Sequence, residues 1–498
     1  MIAWTIYITF TGAVLLLFTP RAFARWIALA TTAAGLVTSV IASLQISIVD
    51  LATFKTIVCV PWVPMLGMNY HLAIDGISLT MVLVTGLVAI ASVLFSWDVD
   101  HRPNEFFFWL LLVVGGSYGV FLSADLFLLF VFYELVIAPK YFLIAIWGST
   151  NKEYGAMKLT LYSFFGGALV FIGIIAAYVT AGSLDLQQLA QFQFTPQLQF
   201  WGFPVLFLGF AVLAGIWPLH TWAPTGHVAA PTAGSMLLAG IVMKLGAYAG
   251  LRVAMNLFPQ GFQMWSKWIA VLAVIGIVYA AAVALRQRDL KFIIGYSSVS
   301  HMGFVLLGLA TANVLGVSGA VLQMFSHSVI GALLFAVAGR MVYRRTHTRD
   351  LDALSEMGLN QALPFAAFSF VIASAASMGI PGFSGFAAEI TILIGSWKTY
   401  PAAVWITGTG MVLVAAFTLR ALKKSFFGEA VSEVRRQEGR VPIDADWNED
   451  ITARITLAEK SGACLLMFAT LAVGLYPKLL LDRIMPAVEA MRFLKSGS

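Results

Sequence analysis

Three ionisable side chains lie in the middle of long apolar runs. They are Glu134 in LFLLFVFYELVIAPKYFLIAIW, Lys244 in SMLLAGIVMKLGAYAGL and Glu389 in GFAAEITILIGSW. A charged side chain at the centre of a bilayer costs about 3 kcal/mol or more, so such a residue usually has a partner or a task. Because all three groups can gain and lose a proton, they indicate proton transfer at mid-membrane depth. The alternative for Glu134 is a structural hydrogen bond to a neighbouring helix, and the alternative for Lys244 is a static salt bridge.

Other groups that can carry protons accompany these three. His327 lies between Ser326 and Ser328 in an apolar run, where it is either a relay or a packed core residue. His301 follows several hydroxyl side chains in YSSVSHMGF, and an imidazole among hydroxyls and water can pass protons. The remaining candidates, each of which could instead be an ordinary loop residue, are Lys291, His220 and His227.

Composition places the chain in a membrane. Its 498 residues are 60% hydrophobic and only 11% charged, with a mean hydropathy of +0.88, whereas soluble domains carry about 25% charged residues. The net charge of +6 fits basic loop residues that set topology and does not indicate nucleic acid. Cys59 and Cys464 are too few for a disulfide framework or an iron–sulfur site, and the histidines lack metal-ligand spacing, so no metal site is predicted.

The apolar runs predict an all-α integral membrane protein with about fourteen transmembrane helices. Each run approaches the ~20 residues needed to cross a bilayer, and none alternates in polarity as a barrel strand would. The apolar N-terminus has no basic region before it, so it is interpreted as a first helix and not as a cleaved signal. The polar stretch 428–457 is expected to be an extramembrane loop. The expected spans lie near 2–19, 26–48, 72–96, 106–122, 124–147, 157–181, 203–223, 231–256, 264–285, 290–310, 313–341, 362–398, 402–426 and 458–482.

Two predicted spans are interrupted by glycine and proline. In 203–223 the break lies near Gly215 and Pro218, and in 362–398 it lies in MGIPGFSGF. Interrupted helices at corresponding places in two halves of a chain are typical of transporters built from inverted repeats. The alternative is that Gly and Pro are simply common in membrane helices. The predicted organisation is N-terminal helices in 1–105, a first five-helix repeat in 106–256, a second in 264–426, and a polar loop with a C-terminal helix in 427–498.

Several segments, in chain order, resemble a known family. They are HLAIDGISL (71–79), YELVIAPKYFLIAIWG (133–148), PLHTWAPTGHVAAPTAGS (218–235), LAGIVMKLGAYAGLR (238–252), RDLKFIIGYSSVSHMGFVL (288–306), HTRDL (347–351) and GIPGFSGFAAEITILIGSW (379–397). From about residue 60 to 430 the chain resembles chain M, the antiporter-like membrane subunit of the proton-pumping NADH:quinone oxidoreductases, or respiratory complex I. The resemblance implies a fourteen-helix fold with two inverted repeats. It also implies that this chain binds no cofactor, while NADH, FMN, Fe–S clusters and quinone belong to partner subunits.

The same resemblance suggests a role for each buried ionisable residue. Glu134 is similar to the family's partner glutamate, and Lys244 is similar to the lysine that links two half-channels. His327 is similar to the connecting histidine, and Glu389 to the terminal acid at the second broken helix. The implied setting is a complex with neighbours of the chain L and chain N type. Because no organelle presequence is visible, the inner membrane of a prokaryote is the expected location.

Two positions depart from the family pattern. Leu213 lies where the family usually has a lysine in the first broken helix, and Thr225 replaces an aspartate. In contrast, Lys140 adds a basic side chain at a position where the family usually has an apolar residue. Six residues of helix place Lys140 about 120° around and ~9 Å along the axis from Glu134, unless Pro139 bends the helix. We hypothesise that Lys140 has taken over the missing base; the alternative is that it extends to an interface and Glu134 is structural.

Three functions are compatible with these features. The first is proton translocation in the membrane arm of a complex I-type enzyme, through a relay of Glu134, Lys140, Lys244, His327 and Glu389. The second is a subunit of a multisubunit cation/proton antiporter or ion-uptake complex that has no redox partner. The third is a scaffold subunit that no longer pumps, because one carrier lysine is absent.

Overall fold

The computed structural model describes residues 1–428 and 454–495, and most of these residues are helical. The N-terminal helices are α1 (Trp4–Phe18), α2 (Ala24–Gln45) and α3 (Gly76–Leu94). The next group is α4 (Pro103–Leu122), α5 (Leu126–Leu135), α6 (Ile137–Trp147), α7 (Lys152–Ala181), α8 (Leu186–Leu189), α9 (Pro196–Ala214), α10 (Trp222–Ala229), α11 (Thr232–Leu237) and α12 (Met243–Ala249). Two π-helical segments, Leu238–Val242 and Gly250–Met255, flank α12.

The helices of the second half follow in chain order. Its helices are α13 (Pro259–Arg286), α14 (Leu290–Ala310), α15 (Val314–Ala336), α16 (Arg344–Thr346), α17 (Leu351–Ser355), α18 (Leu359–Ala362), α19 (Pro364–Ser377), α20 (Ser384–Thr399) and α21 (Pro401–Phe426). A third π-helical segment, Val337–Tyr343, continues α15. The C-terminal helices are α22 (Leu457–Leu475), α23 (Lys478–Glu489) and α24 (Arg492–Lys495).

The predicted membrane architecture is confirmed. Within the described residues, twelve helical runs are long and apolar enough to cross a membrane, and the shorter apolar helices α1 and α19 complete the fourteen expected spans. The last predicted span, 458–482, is divided at Tyr476 between α22 and α23. The predicted polar loop 428–457 lies almost entirely outside the described residues.

Both predicted helix breaks are present. The first lies between α9 and α10, where Gly215 adopts a φ of +84° and ends α9. The second lies between α19 and α20 at residues 378–383, where Gly379 and Gly382 have φ values of +69° and +97°. These left-handed conformations are readily adopted by glycine, so each break is encoded locally by the sequence.

A β-hairpin lies outside the membrane spans and was not predicted. Strands β1 (Lys55–Val63) and β2 (Met68–Ile74) pair antiparallel, and the His71 ring, 2.7 Å from the Asp185 carboxylate, anchors β2 to the α8 region. The predicted span 72–96 therefore started too early. The backbone up to Ile74 pairs with β1, and the Asp75 side chain accepts a hydrogen bond from the Ser78 amide and caps α3.

Basic residues concentrate at the end of the bundle opposite the hairpin. Helix α3 runs away from β2, and the loop that follows it carries Asp98, which is paired with Arg340 and Arg344. The helix ends and loops at this end also carry Arg102, Arg286, Arg288, Arg345 and Arg349. The positive-inside rule predicts that this end faces the cytoplasm and that the hairpin faces away from it.

This orientation predicts the labelling of the two cysteines. Cys59 is exposed on β1, while Cys464 is exposed on the apolar helix α22 and therefore faces lipid. A membrane-impermeant maleimide added to intact cells should label Cys59 and leave Cys464 unlabelled. A Cys59→Ser variant is the control. Labelling of Cys59 only after the membrane is permeabilised would contradict the orientation.

Candidate proton-transfer site

Lys244 lies at the centre of the site. It is fully buried on α12, between the two π-helical segments. π-helical turns are rare and often accompany functional positions, because they shift the register of the side chains that follow. Close packing presses α12 against α9: a Cβ at Gly246 would overlap the Phe210 carbonyl oxygen. The Lys244 ammonium is therefore held within the protein, away from any lipid-facing surface.

The ammonium of Lys244 contacts His327. The Nζ atom lies 2.6 Å from His327 Nδ1 and also donates to the Ala239 carbonyl oxygen. An ammonium can donate to a neutral imidazole at this distance, but two cations this close would repel strongly in a buried site. The contact is therefore compatible with one positive charge on the pair and not with two.

A second contact links histidine to carboxylate. His301 Nδ1 lies 3.3 Å from Glu389 Oε1, and the rings of His301 and His327 are 5.5 Å apart between centroids. A small cavity with room for about one water molecule is lined by both rings, Gln323 and Glu389. Lys244, His327, His301 and Glu389 thus form a buried series of titratable groups, in which the two histidine rings lie near each other without a direct hydrogen bond.

The break between α19 and α20 positions Glu389. The carboxylate is buried, and Gly379 packs against it so closely that a Cβ there would lie 2.7 Å from Glu389 Oε2. Ser384, the first residue of α20, is hydrogen-bonded to Ser326 and to Thr470, each at 2.8 Å. These hydroxyl contacts fix the start of α20 against α15 and α22, and with it the carboxylate.

Two polar residues near His301 were missed by the sequence analysis. His301 Nε2 lies 3.1 Å from Ser377 Oγ, and Gln323 Nε2 lies 3.4 Å from His301 Nδ1. Gln323 precedes His327 by four residues, so helical periodicity alone could have placed both on one face of α15.

Glu134 lies in the first half of the chain, at the junction of α5 and α6. The helix is interrupted at Val136, and Glu134 packs against Gly167 of α7, where a Cβ would overlap the carboxylate. Its Oε1 atom has no hydrogen-bond partner among the described residues. Glu134 therefore differs from Glu389, which has a basic side chain in contact.

Lys140 is buried and does not reach an interface. It is 3% exposed on α6, and its Nζ has no hydrogen-bond partner within the described part of the chain. Its charge interacts directly with that of Glu134, although the two side chains are not hydrogen-bonded. It lines a second cavity of about one-water size together with Leu237 and Leu238, which lie one to two turns before Lys244.

The two departures from the resemblance are visible at the first break. Leu213 is buried near the C-terminal end of α9, so this helix end presents no charge. Thr225 accepts a hydrogen bond of 3.3 Å from Lys158 Nζ. A neutral hydroxyl thus serves as the partner of this lysine.

Lys291 and His227 lie between the cytoplasmic surface and Lys244. Lys291 Nζ donates to the Ala230 carbonyl oxygen at 3.0 Å and lines a cavity of about 340 Å³ that also includes the half-exposed Arg344. His227 is fully buried, stacks on Phe335 with 4.5 Å between centroids, and its charge would interact with those of Lys291 and Lys244.

His220 is separate from this series. It is buried beside the first break and packs edge-on against Tyr279, with 5.5 Å between ring centroids. Within the described residues, no hydrogen bond connects it to Lys244 or His227. The structure thus brings together Lys244, His327, His301 and Glu389, and it places Glu134 with Lys140 in a second group.

Comparison with known proteins decides the family. Residues 123–415 match the family described as NADH:quinone oxidoreductase/Mrp antiporter, TM. The chain belongs to this family. Subunit M of the NADH-quinone oxidoreductase of Rhodobacter capsulatus is 35% identical to this chain, over 93% of this chain and 90% of its own length. Chain 4 1 of the NAD(P)H-quinone oxidoreductase of Synechococcus elongatus is 38% identical over 84% of this chain and 77% of its own.

Solved structures of the NADH:quinone oxidoreductase/Mrp antiporter family share the fold. A chain of respiratory complex I from Thermus thermophilus superimposes with a TM-score of 0.87 and 26% identity, covering 99% of both chains. A chain of the Mrp complex from Dietzia has a TM-score of 0.84 at 22% identity, which shows the fold alone, over 98% of this chain and 97% of its own. This chain is therefore a multi-pass membrane subunit of a multisubunit complex.

The contact between Gly379 and Glu389 can be tested with a matched pair of variants. Gly379→Ala and Gly382→Ala both place a side chain at positive φ, at a cost of about 1–2 kcal/mol each. Only the Gly379 variant pushes against the carboxylate, since a Cβ at Gly382 meets nothing closer than 4.0 Å. High-resolution electron cryo-microscopy of the intact complex should find Glu389 beyond hydrogen-bonding distance of His301 in Gly379→Ala only. Displacement in both variants, or in neither, would contradict the assignment.

Proposed function

We propose that this chain translocates protons in the membrane arm of a complex I-type NADH:quinone oxidoreductase, driven by quinone reduction in other subunits. The observation that supports the proposal is the buried contact of 2.6 Å between Lys244 Nζ and His327 Nδ1, a geometry in which two bases can share one proton. From it, His301 and Glu389 extend towards the second helix break. A structural ion pair would not need this succession of four titratable groups.

The proposed relay works by electrostatic displacement. A positive charge that approaches Lys244 from the first half favours release of the shared proton to His327. The proton then passes to His301, directly or through the single water that the cavity accommodates, and on to Glu389. Glu389 releases it at the break between α19 and α20, where unwound backbone can face water. Lys244 is then reprotonated from the opposite side.

Lys140 supplies the mobile charge of the first half in this proposal. Its burial, its lack of a protein partner and its charge interaction with Glu134 support a base that is poised to move. The cavity beside Leu237 connects it to the helical run that carries Lys244. Lys140 would thus perform, from α6, the task that the family pattern gives to the lysine replaced here by Leu213.

Lys291 and His227 are proposed to reprotonate Lys244 from the cytoplasmic side. The 340 Å³ cavity extends from the surface near Arg344 to Lys291, and His227 lies within electrostatic range of both lysines. His220 stays a weaker candidate because no described hydrogen bond links it to this route.

The proposed setting follows from the relatives and from one exposed surface. Chains of the L and N type would be neighbours, and the hairpin offers them apolar contacts: Val60, Trp62 and Met65 are 53%, 50% and 96% exposed. NADH, FMN, Fe–S clusters and quinone would belong to partner subunits. Among the described residues there is no cluster of three metal-ligating side chains. The proposed location is the inner membrane of a prokaryote.

A second function is a subunit of a cation/proton antiporter or ion-uptake complex, since the matched family includes Mrp antiporters. Co-purification distinguishes the two: flavin and iron–sulfur clusters accompany the chain only in the first. A third possibility, a scaffold that does not pump, predicts that none of the buried ionisable residues affects translocation.

Removal of Lys244 should stop the relay. In the reconstituted complex, Lys244→Ala is expected to lower turnover on the order of hundredfold, the range for loss of a positioned proton carrier, and to reduce the protons moved per electron. The exposed Lys398→Ala is the control. An unchanged proton yield in Lys244→Ala would contradict the relay and favour a scaffold subunit that does not pump.

The role of Lys140 can be tested by moving the lysine. Gly166, next to the residue that contacts Glu134, packs against Gly209 and Val212 of α9, so residue 213 is close to the same place. Lys140→Met should impair proton translocation, and the double variant Lys140→Met with Leu213→Lys should restore part of it. Full activity in Lys140→Met would refute the hypothesis that Lys140 takes over the task of the missing lysine. If Lys140→Met is impaired and the double variant restores nothing, position 213 is no longer connected to the relay.

A further inference from the structure

A large apolar groove lies on the outer surface of the bundle. It has a volume of about 690 Å³ and lies between α13 and the start of α21. On α13 its lining residues recur at helical spacing from Lys267 through Val271 and Ile275 to Tyr279, which forms one continuous stripe. None of the residues in the proton relay lines this groove.

The length of the groove matches one leaflet of a bilayer. The twelve helical steps from Lys267 to Tyr279 extend ~18 Å along the axis, and half of a ~30 Å hydrocarbon core is ~15 Å. The groove runs along the helices, and its side chains are partly open to the surroundings: Val271, Ile275 and Ile406 are 40%, 37% and 48% exposed. This shape fits an extended acyl chain standing upright in the membrane.

One end of the groove is polar and lies at the membrane interface. Trp268, Trp397 and Trp405 are 60%, 49% and 72% exposed around this end, and such aromatic belts mark the level of the lipid headgroups. Tyr400 also lines this end, with its hydroxyl 3.1 Å from Ser266 Oγ. This end lies on the same side of the membrane as the hairpin.

The polar end carries a positive charge without a counter-ion. Lys267 lines the groove and forms no ion pair with any acidic side chain among the described residues. Ala402 and Ala403 also line it, in the first turn of α21, which has no side-chain cap. The unbonded amides of this turn add to the positive potential beside Lys267.

We propose that this groove binds an anionic phospholipid of the leaflet on the hairpin side. Lys267 and the first turn of α21 hold the phosphate, and one acyl chain lies between α13 and α21. The alternative occupant is a transmembrane helix of another subunit, and the experiment below distinguishes the two.

The test uses the intact complex in nanodiscs made of equal parts phosphatidylglycerol and phosphatidylcholine. After mild delipidation, mass spectrometry counts the retained lipids per complex. The wild-type protein should retain phosphatidylglycerol with a preference of roughly fivefold, the effect of about one lysine near a membrane surface. Lys267→Gln should abolish the preference, and the matched variant Lys478→Gln, which changes an exposed lysine of α23 that does not line the groove, should keep it.

A third variant tests the binding of the acyl chain separately from the binding of the headgroup. Ala403→Trp fills the groove and should remove the retained lipid of either headgroup, while assembly of the complex is unchanged. An undiminished preference in Lys267→Gln, or lipid retained in Ala403→Trp, would overturn the proposal. Cross-linking of an Ala403→Cys variant to a helix of another subunit would overturn it as well.

Discussion

The structure depends on one constraint. A charge at mid-membrane depth must be stabilised by hydrogen bonds to other protein groups, because neither lipid nor water stabilises it there. Lys244 meets this constraint by donating to His327 and to a backbone carbonyl. Close helix packing at Gly246 keeps lipid away from it. In a low-dielectric site, the same arrangement makes the position of the proton sensitive to any charge that approaches, which is what a relay requires.

The two halves of the chain meet this constraint differently. In the second half the titratable groups contact one another, and glycine and serine residues at the break fix Glu389. In the first half, Glu134 Oε1 and Lys140 Nζ are buried without hydrogen-bond partners in the described residues. Buried polar atoms of this kind are normally satisfied by water. In the proposed relay, Glu134 and Lys140 therefore have no hydrogen-bonded protein partner within the described part of the chain, unlike the contacting groups of the second half.

Much of the fold follows from local sequence signals. Continuous apolar runs predict the spans, and Gly with Pro predicts both breaks, because these residues act through the backbone of their own segment. The position of Lys244 near His327 came only from the resemblance, since periodicity cannot place two helices side by side. The hairpin was missed because an apolar strand such as Met68–Ile74 continues directly into an apolar helix. The closeness of Gly167 and Gly379 to carboxylates depends on tertiary packing, which one sequence does not contain.

The central claim is that a proton reaches Glu389 from Lys244 during turnover. Infrared difference spectroscopy of the complex, comparing resting and turning-over states, measures this directly through the protonated carboxyl band of Glu389, assigned by its loss in Glu389→Gln. The account predicts that this band changes during turnover and stays constant when Lys244 is replaced by alanine. A band that never changes in the wild-type complex, or that changes equally in Lys244→Ala, would contradict the account.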